Sequence, residues 1–184
     1  TLCFYERKKM RMNYDVLENN IIDLLKESQA KVGFDNNPIR LYYPLSSLNH
    51  FFKTDADADE MMKILGGFSS EKLGAVEVSV SGERFCFYIP AEGAAYVHEN
   101  TDSNDFIHEL VDIVGSYGTM EDIIKLFRSR SDKIHIESIE NGEFETLIYF
   151  EQPYPDRYYY CFCDEGVHII YHRFLPEDYA DLGL

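Results

Sequence analysis

Between Lys133 and Phe174 the chain reads "KIHIESI-ENGE-FETLIYFEQ" and then "RYYYCFC-DEG-VHIIYHRF". Each segment sets two runs rich in Ile, Val, Thr, Tyr and Phe around a Gly-containing break. This is the pattern of two β-hairpins joined across the "PYP" of Pro153–Pro155. Asn141-Gly142 is the strongest two-residue hairpin signal in the chain. The stretch therefore predicts a four-strand antiparallel meander. Several of these runs place large apolar residues at both odd and even positions. Such a sheet needs cover on both faces, from helices or from a partner.

Upstream, the periodicity changes. "YDVLENNIIDLLKESQAKV", residues 14–32, repeats its apolar residues at helical spacing. Tyr14, Leu17, Ile21, Leu24, Leu25, Ser28 and Val32 line one side, with Glu18, Lys26, Glu27 and Lys31 facing out. Asn13 can cap this helix and Gly33 can end it. "DNNPIRLYYPL" reads as a turn and a short extended run, and "SSLNHFF" as a short helix capped by Ser46 or Ser47. "AVEVSV-SGE-RFCFYI" is a hairpin around Gly82, and "AAYVHE", after a turn at Glu92 and Gly93, is a short third strand. Two helices follow, "SNDFIHELVDIVG" capped by Ser103 or Asn104 and "GTMEDIIKLFRSR" capped by Thr119, with "GSYG" as the turn between them. The order fits an α+β fold: N-terminal helices, a β-hairpin, a helix pair, then the meander. At 184 residues the expected organisation is one domain over 13–184. Residues 1–12, which contain the basic run Arg7, Lys8, Lys9 and Arg11, form a disordered lead-in.

Charge bounds the function. Thirty-three acidic residues against 17 Lys and Arg give a net charge of −16, a surface that repels nucleic-acid phosphates and anionic lipids. Direct nucleic-acid or membrane binding is not expected, and a basic protein partner is favoured. The four cysteines are too sparse for a disulfide scaffold, "TLCF" is too short for a signal-peptide core, and no run approaches a membrane span. These features point to reduced thiols in a cytoplasm.

Four constellations invite chemistry. "KTDADADEMMKILGGF" opens like a calcium loop at Asp55, Asp57 and Asp59. An EF-hand needs Gly at its sixth position and Glu at its twelfth, where this chain has Glu60 and Gly66. The alternative is a helix start: Thr54 or Asp57 as N-cap, Asp57 with Glu60 as a capping box, and Met61, Ile64 and Leu65 inward. In "CFCDEGVHIIYH", Cys161, Cys163, His168 and His172 are zinc-type ligands. With Glu165-Gly166 as the hairpin tip, Cys163 would face His168, Cys161 would face Ile170 and His172 would face Tyr159. His168 and His172 would then lie roughly 13 Å apart, too far for one ion. That leaves Cys161, Cys163 and His168 as a minor metal set, with His135 as a possible neighbour, against the plainer reading of small cysteines buried in an aromatic sheet. In "YVHENTDSNDFIHELVD", His98, Glu99, Asp105 and His108 can serve a carboxylate/His-dependent hydrolase, with or without a divalent metal. The competing reading is a solvated acidic helix face. In "PYPDRYYYCF", Tyr154, Tyr158 and Tyr160 can form an aromatic binding surface.

No Walker A, G-x-G-x-x-G, G-x-S-x-G or H-E-x-x-H motif occurs, and no cofactor is expected. The composition favours a non-enzymatic protein-interaction module, to which an immunity- or antitoxin-like role is suited by charge and size alone. The residues "YDVLENNIIDLLKESQAKVGF" followed by "PIRLYYPLSSLNHFF" resemble an uncharacterised bacterial family, a domain of unknown function. The resemblance implies a bacterial cytoplasmic protein and carries no catalytic or binding residue. It also implies a start at Met10 or Met12, with the preceding residues as an extension.

Overall fold

The computed structural model describes residues 12–140 and 142–182. Apart from Met12, the expected lead-in lies outside the described residues, as do Asn141 and Cys3. Among the described residues, seven helices and seven strands follow one another in an α+β order. The chain divides into two compact units. One is built from the chain up to Leu24 together with Asn36–Val97, the other from Leu25–Asp35 and the chain from His98 onward.

Helix α1, Asp15–Val32, contributes to both units. It begins where Asn13 Oδ1 accepts the Asp15 amide at 3.0 Å, and it ends at Gly33, whose N–H donates to Gln29 at 2.9 Å. Leu17, Ile21 and Leu25 are fully buried, as periodicity requires. The expected stripe fails further along. Val32 is 83% exposed, whereas Glu27 and Gln29 are buried.

In the first unit, β1 (Ile39–Pro44) runs directly into α2 (Leu45–Phe52). Pro44 itself is the N-cap residue of α2, extended at φ −69° and ψ 155°, and it supplies no side-chain cap. The helix therefore starts before Ser46 and Ser47, which are not caps. Helix α3, Ala58–Leu65, begins at Asp57, with a reciprocal capping box between Asp57 and Glu60. The aspartate run is thus a helix start, and Met61 and Leu65 point into the core. Strands β2 (Glu77–Ser81) and β3 (Arg84–Ile89) form the expected hairpin around Gly82. β1 adds to the other side of β3, giving the order β1-β3-β2. Tyr43, Phe85, Phe87 and Ile89 share the buried face. Tyr43 meets Phe51 and Phe87 edge-on, with centroids at 5.9 and 5.2 Å.

The expected strand "AAYVHE" is instead the body of α4, Ala91–Glu99. Its reason is packing. A Cβ on Gly93 would lie 2.4 Å from the Leu73 carbonyl oxygen. The glycine lets the helix backbone press against the Ser70–Leu73 turn, and the helix buries Ala94 and Val97.

In the second unit, α5 (Phe106–Gly115) and α6 (Met120–Arg130) cover one face of a four-stranded sheet. The strands are β4 (Ile134–Ser138), β5 (Thr146–Phe150), β6 (Tyr159–Asp164) and β7 (Ile169–Phe174), hydrogen-bonded in that order. Asp105 caps α5 by accepting the Ile107 amide, so Ser103 and Asn104 are not the cap. Thr119 caps α6 as expected, with Asp122 completing a capping box. Ile148, Phe150, Tyr160, Phe162 and Tyr171 face the helix pair. Leu147, Cys161, Tyr149 and Tyr159 face the opposite way, where Phe144 and Tyr179 of α7 (Pro176–Asp181) cover them. The sheet is therefore apolar on both faces, as its sequence demands.

Both hairpins of the meander form, the β4–β5 end wider than its turn signal suggests and the β6–β7 tip displaced by one residue. β4 and β5 are joined by residues 139–145, not by a two-residue Asn-Gly turn. In the β6–β7 hairpin the tip is Gly166-Val167. The Glu165 N–H bonds the His168 carbonyl at 3.1 Å, and Asp164 Oδ1 accepts the Gly166 amide at 2.8 Å. Gly166, at φ +78°, takes the first tip position, where a type II′ turn wants glycine. This moves the expected pairing by one residue on each strand.

Candidate functional site

The most concentrated electrostatics lie where the C-terminal half of α1 meets β7, within the second unit. Glu27 accepts from Arg173 Nε at 2.6 Å, from Tyr171 Oη at 2.8 Å and from Lys31 Nζ at 2.8 Å. The side chain of Arg173 is 4% exposed and that of Glu27 is 12% exposed. Two rings complete the enclosure, Tyr158 at 4.2 Å from the Arg173 guanidinium and Tyr171 at 4.6 Å from Lys31 Nζ. Burial pushes the Glu27 carboxyl upward, but Arg173, Lys31 and Tyr171 together hold it below its ordinary value. Three donors share its two oxygens, so the cluster pins α1 to β7. Sequence reading placed Glu27 in solvent. Its i,i+4 spacing to Lys31 was visible, but Tyr171 and Arg173 are more than 140 residues away.

The residues expected to serve a hydrolase do not act as one set in their contacts. Asp105 is the α5 cap and pairs with Lys26 at 2.9 Å. His108 Nδ1 stands 3.9 Å from Asp105 Oδ1, beyond hydrogen-bond reach. His98 and Glu99 are exposed at the end of α4, where the His98 ring stacks on Phe34 at 4.2 Å.

The cysteine hairpin also pairs differently from expectation. Cys163 faces Ile170, Cys161 faces His172, and Tyr159 faces Phe174. His168 lies beyond the strand, 3.1 Å from Glu165. Among the described residues no group of three or more His, Cys, Asp or Glu is placed to hold a metal ion. Burial pushes the Cys161 thiol up to about 11, so at neutral pH it is not the thiolate that nucleophilic chemistry requires.

Of the three tyrosines expected on a binding surface, Tyr160 is fully buried and gives its hydroxyl to Asp156 at 2.6 Å. It cannot be a surface residue, because its strand position faces α5 and α6. Tyr154 stacks on Phe150 at 4.2 Å, and Tyr158 lies against Arg173.

The most exposed aromatic among the described residues lies elsewhere, in the α5–α6 turn. Tyr117 is 73% exposed and adopts φ +61°. Ser116 is the C-cap of α5, and the Gly118 N–H returns to the Ile113 carbonyl at 2.8 Å. That bond is the long reach of a Schellman ending, which puts Tyr117 at the position glycine usually fills. The neighbouring glycine has a different duty. A Cβ on Gly118 would meet Ile113 Cγ2 at 2.4 Å. Beside this turn runs an open groove of about 490 Å³ lined by Glu109, Ile113, Ser116, Gly118, Asp122, Lys125, Leu126 and Ser129. Its rim is mixed but acid-rich. Lys125 lies 2.9 Å from Glu121 and 3.8 Å from Asp122, and Arg130 lies 3.1 Å from Glu109. The Thr119 amide and hydroxyl hold the Asp122 carboxyl below its ordinary value. "GSYG" showed a turn in the sequence. That tyrosine rather than glycine holds the left-handed position is visible only once the last helical residue is known.

No helix among the described residues is long and apolar enough to cross a membrane. No curated protein and no solved structure matches the chain. The model of one family, described as "Domain of unknown function, E. rectale Gene description (DUF3877)", matches residues 14–183. Covering the helices, both sheets and the groove alike, that match makes the chain a member of the DUF3877 family.

Proposed function

We propose that this chain is a non-enzymatic interaction module of the bacterial cytosol, and that a basic segment of a protein partner docks at the α5–α6 groove beside Tyr117. The observation that carries this is Tyr117 itself. A non-glycine residue at φ +61° costs on the order of 1 kcal/mol, and a ring 73% exposed gains no packing to offset it. Exposed tyrosine supplies large contact area at low entropy cost, which makes it a frequent interface anchor. Beside it, Ile113 and Leu126 offer an apolar floor for a Lys or Arg stem, and its head would share Glu109 and Asp122 with their present partners Arg130 and Lys125. The net charge of −16 speeds the approach of a basic protein. The hydrolase alternative has no observation of comparable weight.

The test is affinity capture from the native bacterial lysate with the wild-type chain and with Tyr117→Gly. Glycine is the residue the backbone prefers there, so this variant keeps the fold and gains about 0.5–1 kcal/mol of stability. The expected result is a basic protein recovered at low salt, released at high salt, and depleted at least about tenfold by Tyr117→Gly, the equivalent of 1.4 kcal/mol. Recovery of no partner, or equal recovery by the more stable variant, overturns the proposal.

A further inference from the structure

The outer edge of the four-stranded sheet carries a pattern that none of the foregoing uses. Strand β4, Ile134–Ser138, pairs with β5 alone. Every residue from His135 to Ser138 is exposed, including Ile136 at 40%. The direction of its backbone groups follows from the ladder. The Glu151 N–H bonds the Lys133 carbonyl and the Ile139 N–H bonds the Glu145 carbonyl, so the odd-numbered residues of β4 face β5. In an antiparallel ladder this orientation alternates. The N–H and C=O groups of Ile134, Ile136 and Ser138 therefore point away from the sheet, with no strand beside them among the described residues.

We infer that this edge pairs with β4 of a second copy of the chain, antiparallel and centred on Ile136. In that register Ile136 faces the partner's Ile136, Ile134 faces Ser138, and His135 faces Glu137. The three outward residues on each strand form hydrogen-bonded pairs, giving six main-chain hydrogen bonds. His135 and Glu137 fall at the non-bonded positions, where Cα atoms approach to about 4.5 Å and side chains are closest. Each imidazole, stacked on Tyr149 at 4.8 Å and 3.9 Å from Glu151, then stands beside the Glu137 carboxylate of the other copy, which also accepts its own Tyr149 hydroxyl at 2.7 Å, and the two half-exposed isoleucines cover each other.

Charge along the strand agrees. Lys133, beside Asp132, precedes the strand, and Glu137, Glu140, Glu143 and Glu145 lie toward and beyond its end. Antiparallel self-pairing centred on Ile136 sets Lys133 diagonal to Glu137 of the other copy. Charges on an edge strand ordinarily deter pairing. Here they are of both signs and placed so that the strand complements itself. A parallel or one-residue-shifted alignment loses both His–Glu contacts.

Two terms keep the association weak. A five-residue edge buries less than the roughly 1,000 Å² of a stable interface, and each copy carries −16. The expected species is a reversible dimer populated between micromolar and millimolar concentration. The pairing is independent of the groove at α5–α6, and Tyr117→Gly should leave it unchanged.

Sedimentation equilibrium across that concentration range tests it, with His135→Glu, Glu137→Lys, the double variant carrying both, and Ile136→Pro. His135→Glu sets two carboxylates opposite one another, Glu137→Lys removes the carboxylate that the imidazole faces, and each weakens self-association at least about tenfold. The double variant exchanges the charges and restores it to within about threefold of wild type. Ile136→Pro removes the central outward N–H while leaving the β5 ladder intact, which edge strands tolerate, and it abolishes the dimer. Should the proline variant fail to fold by circular dichroism, the charge exchange still decides. A wild type that stays monomeric throughout overturns the inference. So does a dimer indifferent to the charge variants, or an edge whose amides gain exchange protection only on adding a basic partner protein.

Discussion

The Glu27 carboxylate keeps its charge in a water-poor place because three donors converge on it, from Arg173, Tyr171 and Lys31. Removing it would take from Arg173, whose side chain is 4% exposed, the carboxylate that lies 2.6 Å from its Nε. Breaking one side of such a buried pair costs about 3–5 kcal/mol, and Glu27→Ala should lose that much at neutral pH in a urea titration. The pH dependence has a defined sign. The folded-state pKa of Glu27 is lowered from the ordinary 4.5, so the unfolded chain binds the proton more readily. The contribution is fully present above about pH 4.5 and is lost as pH falls through the depressed folded value. The deficit of Glu27→Ala relative to wild type should therefore shrink on acidification below pH 4.5. A deficit under about 1 kcal/mol at neutral pH would assign the pair to the weak surface class.

At the scale of elements, local chemistry and packing divide the work. Capping boxes at Asp57 and Thr119 start α3 and α6 where side-chain hydrogen bonding says they should. Alternation in β5 and β6 sends Ile148, Phe150, Tyr160 and Phe162 to one face and Leu147, Tyr149, Tyr159 and Cys161 to the other. Helix α4 is the counter-example, since its small residues and two-residue turn signal read as a strand. Gly93 is there for close approach to Leu73, not for a turn. In an exposed helix a Gly→Ala change gains about 1 kcal/mol. Here the added methyl would sit 2.4 Å from a backbone oxygen, and overpacking of that kind costs about 1–3 kcal/mol. Gly93→Ala should therefore lower the denaturation midpoint. An increase would mean that the turn at Ser70–Leu73 yields freely.

For the whole molecule, the dominant quantity is the excess of 33 acids over 17 Lys and Arg. Self-repulsion of that size opposes the compact state. Raising ionic strength from about 0.01 M to about 1 M shortens the screening length from about 30 Å to about 3 Å. Thermal scans in sodium chloride should accordingly show Tm rising with salt, by about 2–4 °C for each kcal/mol relieved. A fall in Tm would show that ion pairs such as Lys26–Asp105 and Lys72–Glu18 outweigh the repulsion. The same charge shapes both association surfaces. It would favour the basic partner proposed at the groove, and it would limit the self-pairing inferred at β4 to weak affinity.

The sequence by itself determined the α+β order, the four-strand meander, three helix starts and the exclusion of an EF-hand. Each of these rests on contacts within about four residues or on a simple period. The tertiary structure alone decided which strand faces which, because a hairpin tip displaced by one residue re-pairs Cys161 with His172 and removes His168 from the set. Tertiary packing also decided that Tyr160 is core and that Tyr117 is surface. A tyrosine's side of a strand is legible from alternation, whereas what covers that side is not. Glu27 shows the limit most sharply. Its helix was predicted correctly, but its burial depends on an arginine and a tyrosine nearly a whole chain away.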